Sequence, residues 1–206
     1  MLKTQEEEQV YLASTLKRYY DLKKITEQKL NDYPKIYKNN PVLLESLLNQ
    51  SYHKLVMLDR NIPKPYFARI DFKDEDALEE IECYIGKVGV SDENNKLITV
   101  DWRAPVASLY YDANVGEASY EAPIGLIKGD LLLKRQYEIE DGQLKSFQDI
   151  DTVASDELLK PYLSMNADNR LKNIVATIQK EQNEIIREKI YKNLIVEGVA
   201  GSGKTT

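Results

Sequence analysis

Two prolines two positions apart, Pro63 and Pro65, mark the place where this chain changes its hydrophobic period. Each fixes φ and removes a backbone donor, so Asn61-Ile-Pro-Lys-Pro65 reads as a stiff linker. Before it, apolar residues recur at helical spacing. After it, they fall into short runs rich in β-branched and aromatic residues, bounded by Gly, Asn and Asp. The fold class this predicts is α+β: a helical hairpin over 1–62, a small antiparallel β domain over 63–153, and a return to helix over 154–206.

In the first part, residues 1 to about 30 contain neither Pro nor Gly, and Leu12, Leu16, Tyr19, Leu22 or Lys23, and Ile25 or Thr26 roughly follow helical spacing. Pro34 disfavours helix at Tyr33, which predicts a break at Asn31–Pro34. A second helix is expected to start with Asn40 as N-cap and Pro41 at the first helical position. It should run to about Arg60, with Leu44, Leu48, Tyr52 and Leu55 on its apolar stripe. Two such helices joined by a short breaker make an antiparallel hairpin. With little core of its own, it must either pack on the rest of the chain or project as an arm.

The middle part predicts strands over 66–71, 81–90, 96–101, 106–111, 118–121, 124–128, 130–140 and 143–148. Asp141-Gly142 is the strongest hairpin signal, because both residues tolerate the positive φ of a tight turn between strands. A second hairpin is expected at Asp92–Asn95.

From Ser155 the pattern is helical again, with a long helix expected over about 168–192. Asn193–Glu197 reads as a short buried strand that enters Gly198-Val-Ala-Gly201-Ser202-Gly203-Lys204-Thr205-Thr206. This fits G-x-x-x-x-G-K-[ST], a phosphate cradle. Glycines let successive backbone N–H groups curl around an anion with no Cβ in the way. Lys204 would bring positive charge to the β- and γ-phosphates, and Thr205 would place a hydroxyl on Mg²⁺. Lys204 and Thr205 are therefore the candidate catalytic residues. Gly198, Gly201, Ser202, Gly203, Lys204, Thr205 and Thr206 form the candidate site for ATP, with Thr205 the metal contact. The sequence ends at Thr206, without the Mg²⁺-binding carboxylate and water-positioning residue that phosphoryl transfer also uses. The expectation is an N-terminal fragment of a larger ATPase, itself unable to hydrolyse ATP.

Upstream lies Ile174-Val-Ala-Thr-Ile-Gln179-Lys-Glu-Gln182. A glutamine on a helix shortly before the cradle resembles the opening of superfamily-one helicases and translocases. That likeness makes Gln182, with Gln179 as second choice, the reader of the adenine edge, since an amide both donates and accepts. Tyr66-Phe-Ala-Arg-Ile-Asp-Phe, Tyr84-Ile-Gly, Asp101-Trp-Arg-Ala-Pro-Val-Ala-Ser-Leu-Tyr-Tyr111, Leu133-Lys-Arg-Gln136, Asp141-Gly-Gln and the 174–203 block together resemble the HelD family. The likeness covers about 65–205 and is weaker over 1–60. It implies a helicase-like ATPase that binds bacterial RNA polymerase and releases it from nucleic acid for recycling. It also implies that the N-terminal coiled-coil arm enters the polymerase secondary channel. In relatives the arm tip can be long and acidic. Here Asp32 is the only acid in 31–40, which suits a steric wedge, or an ordinary solvated turn, better than a metal-chelating tip.

Composition narrows the alternatives. One cysteine and one histidine exclude a disulfide framework and a Cys/His zinc site. No apolar run approaches the ~20 residues of a bilayer span, so no membrane partner is expected. The highly charged start, which is no secretory signal, together with the cysteine count makes the reduced cytoplasm the expected location. The net charge of −6 gives the chain no general attraction to nucleic acid, although DNA contacts through further motor domains remain compatible with it. The acidic run from Asp71 to Glu82 is either a solvated face or a surface for a basic partner. Trp102 is expected to pack in the β core beside an Asp101–Arg103 pair, His53 to pack near its helix stripe, and Cys83 to be inert. Two rivals stand beside the polymerase-recycling reading. One is a DNA helicase or repair translocase, marked by nucleic-acid-stimulated ATPase. The other is a non-enzymatic interaction module.

Overall fold

The computed structural model describes residues 3–150. Residues 154–206, with the expected long helix, the strand at 194–197 and the phosphate cradle, lie outside them.

Helix α1 (Gln5–Ile36) begins at a capping box: Thr4 Oγ1 accepts from Glu7 N–H, and the Glu7 carboxylate accepts from Thr4 N–H at 2.7 Å. Three acids in its first turn complement the positive helix end. The expected break at 31–34 does not occur, because Pro34 sits in the last turn. There the missing donor costs a single intrahelical bond, and Tyr37 N–H closes the end on Tyr33 O at 2.8 Å. Helix α2 (Pro41–Asn61) starts as expected, with Asn40 Oδ1 accepting from Leu43 N–H. Its inner stripe is rotated from the expected one. Ser51 and Leu58 are buried, whereas Tyr52 and His53 are exposed. Small Ser51 lets α2 approach its neighbour where a tyrosine ring would hold it off.

Among the described residues seven strands follow: β1 (Ala68–Asp74), β2 (Ile81–Gly86), β3 (Val90–Ser91), β4 (Leu97–Asp101), β5 (Gly116–Ala122), β6 (Gly125–Glu140) and β7 (Gln143–Ile150). They form one sheet in the order β3-β4-β2-β1-β6-β5, with β7 also on β6. The sheet is mixed and not wholly antiparallel as expected, since β2 and β4 run parallel. The chain splits the expected 81–90 strand at 87–89 and uses short β3 as its return stroke, so that β4 can start level with β2. The hairpin at Asp92–Asn95 forms as expected, with Asn95 at φ 59°. So does the one at Asp141-Gly142, whose φ values of 49° and 73° give the tight turn.

Two further departures have local causes. The expected strand at 106–111 is instead a 3₁₀ turn (Pro105–Ala107) running into helix α3 (Ser108–Asp112). Pro105 suits a first helical turn and has no ladder donor, and Ser108 Oγ bonds back to its carbonyl. The expected strands at 124–128 and 130–140 are one strand. Gly129 belongs in it because a Cβ there would collide with Lys73 O and the Phe72 ring of β1.

The sheet is covered on both faces. Ala68, Ile70, Phe72, Cys83, Ile85, Val100 and Leu131 pack against Ala107 and Leu109, with partly buried Trp102 at the margin. The opposite face meets α1, where Leu12 packs on Tyr66, Tyr84, Tyr137, Ile139 and Leu144. Strand β6 serves both layers through a bulge at Leu132: Asp71 faces Leu133 while Phe72 faces Leu131. The phase flip turns Leu131 and Lys134 to the α3 side and Leu133, Arg135 and Tyr137 to the α1 side. A third cluster joins Tyr19, Leu22 and Leu58 of the helices to Val90 and Ile98 of the β3–β4 hairpin.

Candidate functional site

Gln182 and the Gly198–Thr206 loop lie outside the described residues, so the geometry of interest here is the helical hairpin and its mounting. Along α1 the sheet supplies successive supports. Tyr19 Oη bonds Thr99 Oγ1 at 2.8 Å, Arg18 pairs with Asp92 at 3.0 Å, and Lys29 reaches Glu93 at 3.5 Å. Beyond Lys29 the hairpin leaves the sheet. Its end exposes Ile36 (64%), Val42 (79%) and Leu43, beside a Tyr33–Tyr37 edge-to-face pair at 5.7 Å. The one acid of the tip, Asp32, pairs with Lys35 at 3.3 Å. This tip is apolar and basic. It lacks the carboxylate cluster that would hold a divalent cation.

The root of α1 is held by charge. Tyr84, Arg69, Arg135 and Asp149 are successive register partners on β2, β1, β6 and β7, forming a row across four strands. Two arginines opposite one another would repel. Glu8 of α1, with no exposed surface, resolves this: its Oε1 accepts from Arg69 Nη1 at 3.0 Å and Arg135 Nη1 at 2.9 Å. Tyr84 Oη donates to Glu8 Oε2 at 3.2 Å. Arg69 also forks onto Asp71 at 2.6 and 2.7 Å and reaches Glu82 at 2.9 Å. Arg135 forks onto Asp149 and donates to Lys3 O at 3.0 Å. Burial works against the Arg69 charge, but the Asp71 fork and neighbouring anions outweigh it and hold the guanidinium more firmly protonated than usual. Burial pushes the Asp71 carboxyl above the ordinary range despite Arg69, and raises the Tyr84 hydroxyl. Asp71 and Glu82 are therefore structural members of the acidic run, whereas 75–80 is exposed.

The other candidates have structural roles. Asp101 and Arg103 form a fork at 2.9 and 2.7 Å where β4 turns, which holds the Asp101 carboxyl below its usual range. Trp102 packs at the edge of the core as expected. Cys83 is buried, and desolvation pushes its thiol up to about 11, so it is inert at neutral pH. Among the described residues no cluster of three His, Cys, Asp or Glu could hold a metal ion, and no helix is long and apolar enough to cross a membrane.

The family model described as DNA helicase IV HelD, N-terminal domain, matches residues 5–159. The chain belongs to the HelD family. Comparison with curated proteins gives no match. The HelD match spans both the hairpin and the sheet, including the 5–60 stretch where the motifs are weakest. The Glu8 cluster was not read from the sequence. Its signal is two arginines and an aspartate inside otherwise apolar strands, Arg69, Asp71 and Arg135. Glu8 itself is indistinguishable from Glu6 and Glu7 without the fold.

Proposed function

We propose that this chain is the N-terminal region of an ATP-dependent, helicase-like factor that binds bacterial RNA polymerase through its helical hairpin and helps release the enzyme from nucleic acid. The observation that carries this reading is the hairpin: a rigidly mounted helical pair whose apolar, tyrosine-bearing tip stands clear of the sheet. Exposed apolar side chains at the end of such a prong suit insertion into a protein channel. The tip acts as a steric wedge, because its only acid is already paired with Lys35. The following sequence supports the ATP part. Gly198, Gly201, Ser202, Gly203, Lys204, Thr205 and Thr206 would cradle the phosphates, Thr205 would contact Mg²⁺, and Gln182 would read adenine. Bound Mg·ATP would supply the phosphoryl-transfer free energy for the cycle.

The test is retention of core RNA polymerase by the immobilised chain, comparing wild type with Ile36→Asp/Leu43→Asp. Loss of binding in the double variant is expected, and equal retention refutes the wedge. A second reading, a DNA helicase, is favoured by the family's own description. ATPase activity of the full protein that rises with DNA but not with polymerase selects it.

A further inference from the structure

We infer that α1 is a lever whose short arm is set by strand β7 through Arg135. Besides the apolar packing of Leu12 and the Lys29–Glu93 pair, the helix has two principal supports of different kinds. One is the fulcrum, where Tyr19, Leu22 and Leu58 pack on Val90 and Ile98 and Tyr19 bonds Thr99. The other is the ionic anchor at Glu8, about 16 Å along the axis from Tyr19. The tip at Ile36 lies about 25 Å beyond the fulcrum on the other side. A displacement of the anchored end is therefore magnified about 1.5-fold, in the opposite direction, at the tip.

The anchor is shared and not private to the helix. Arg135 gives Nε and Nη2 to Asp149 at the end of β7, and Nη1 to both Glu8 and Lys3 O of the helix root. One planar guanidinium thus spans the strand and the helix, and its rigid fork makes the two move together. Asp149 lies one residue before the end of β7, and the chain then continues toward the 198–206 loop. Strand β7 is thereby the handle by which the rest of the protein can swing the prong. Its use in a nucleotide cycle rests on the proposed function, whereas the lever itself does not.

The test places spin labels at the tip (Lys38→Cys) and on the β5–β6 turn (Ile124→Cys), leaving buried Cys83 unlabelled, and measures the distance between them. The background is wild type, Asp149→Asn or Arg135→Lys, each checked for folding by circular dichroism. A shift of about 1–2 Å at the anchored end becomes about 2–3 Å at the tip, with a broader distribution, in both variants. If Arg135→Lys fails to fold, Asp149→Asn carries the test alone, because its side chain is partly exposed and nearly isosteric. A tip distance in folded Asp149→Asn indistinguishable from wild type overturns the lever. A shift in Asp149→Asn without any response of the full protein to Mg·ATP upholds the lever and refutes nucleotide as its driver.

Discussion

Replacing Glu8 with alanine is the most informative single change. The carboxylate is fully buried between two guanidinium groups whose side chains are 2% exposed, so its removal deletes two charge-assisted bonds and one from Tyr84. Breaking a buried ion pair by removing one partner typically costs about 3–5 kcal/mol, because the charge left behind stays desolvated. Here Arg69 keeps Asp71 and Glu82, and Arg135 keeps Asp149, which places the expected loss near the lower end, about 3 kcal/mol. For a chain of this size that is a fall in Tm of about 6–12 °C. Glu8→Gln keeps the volume and can still accept from one arginine, so it should lose about half as much. Urea titration of wild type, both single variants, Arg135→Met and the Glu8→Ala/Arg135→Met pair gives the coupling directly. A loss below about 1 kcal/mol in Glu8→Ala, or strict additivity in the pair, refutes the argument that Glu8 offsets two like charges.

Other outcomes follow from the same structure. Gly129→Ala should destabilise by about 1–3 kcal/mol, read as a lower urea midpoint, since the new methyl meets Lys73 O and Phe72. The Asp92 carboxyl is held below its ordinary range by backbone N–H of Lys96 and then by Arg18 and Asn94. Its stabilisation is present above the unfolded-state pKa and is lost as pH falls through the lower folded value, so Asp92→Asn should flatten the acid limb of a stability profile. Cys83 should resist a thiol reagent in the native protein and react fully in urea; rapid native labelling contradicts its burial. Neutralising Glu75, Asp76, Glu79 and Glu80 together should weaken polymerase binding more at low than at high salt, and unchanged low-salt binding rejects an electrostatic role for that loop.

What the sequence made legible was local chemistry. Asn40-Pro41 and Asp141-Gly142 announce a helix start and a tight turn because single residues there decide the backbone. The hairpin and its partner sheet follow from periodicity alone. What it hid was tertiary. Pro34 looks like a stop signal, yet a proline in a terminal turn interrupts little. Residues 106–111 have strand composition, yet Pro105 and Ser108 favour a helical turn there. The stripe of α2 was misplaced because Ser51, not Tyr52, is what close helix packing admits. The row Tyr84, Arg69, Arg135 and Asp149 is invisible without strand register, since its members are scattered through the sequence from position 69 to position 149.

The extra residue at Leu132 carries a consequence for how this domain can vary. Because Leu131 and Leu133 already occupy consecutive positions opposite Phe72 and Asp71, Leu132 is a spare residue, and the faces from Leu133 onward are set by the pairing with β1. Deleting Leu132 would close the bulge into regular pairing, with Leu131 still opposite Phe72, Leu133 opposite Asp71 and Arg135 opposite Arg69, so the ionic row would stay on the α1 side. The middle of this strand can therefore lose one residue without reversing which layer each side chain serves, whereas an added residue there would have to widen the bulge or carry the following side chains to the other face.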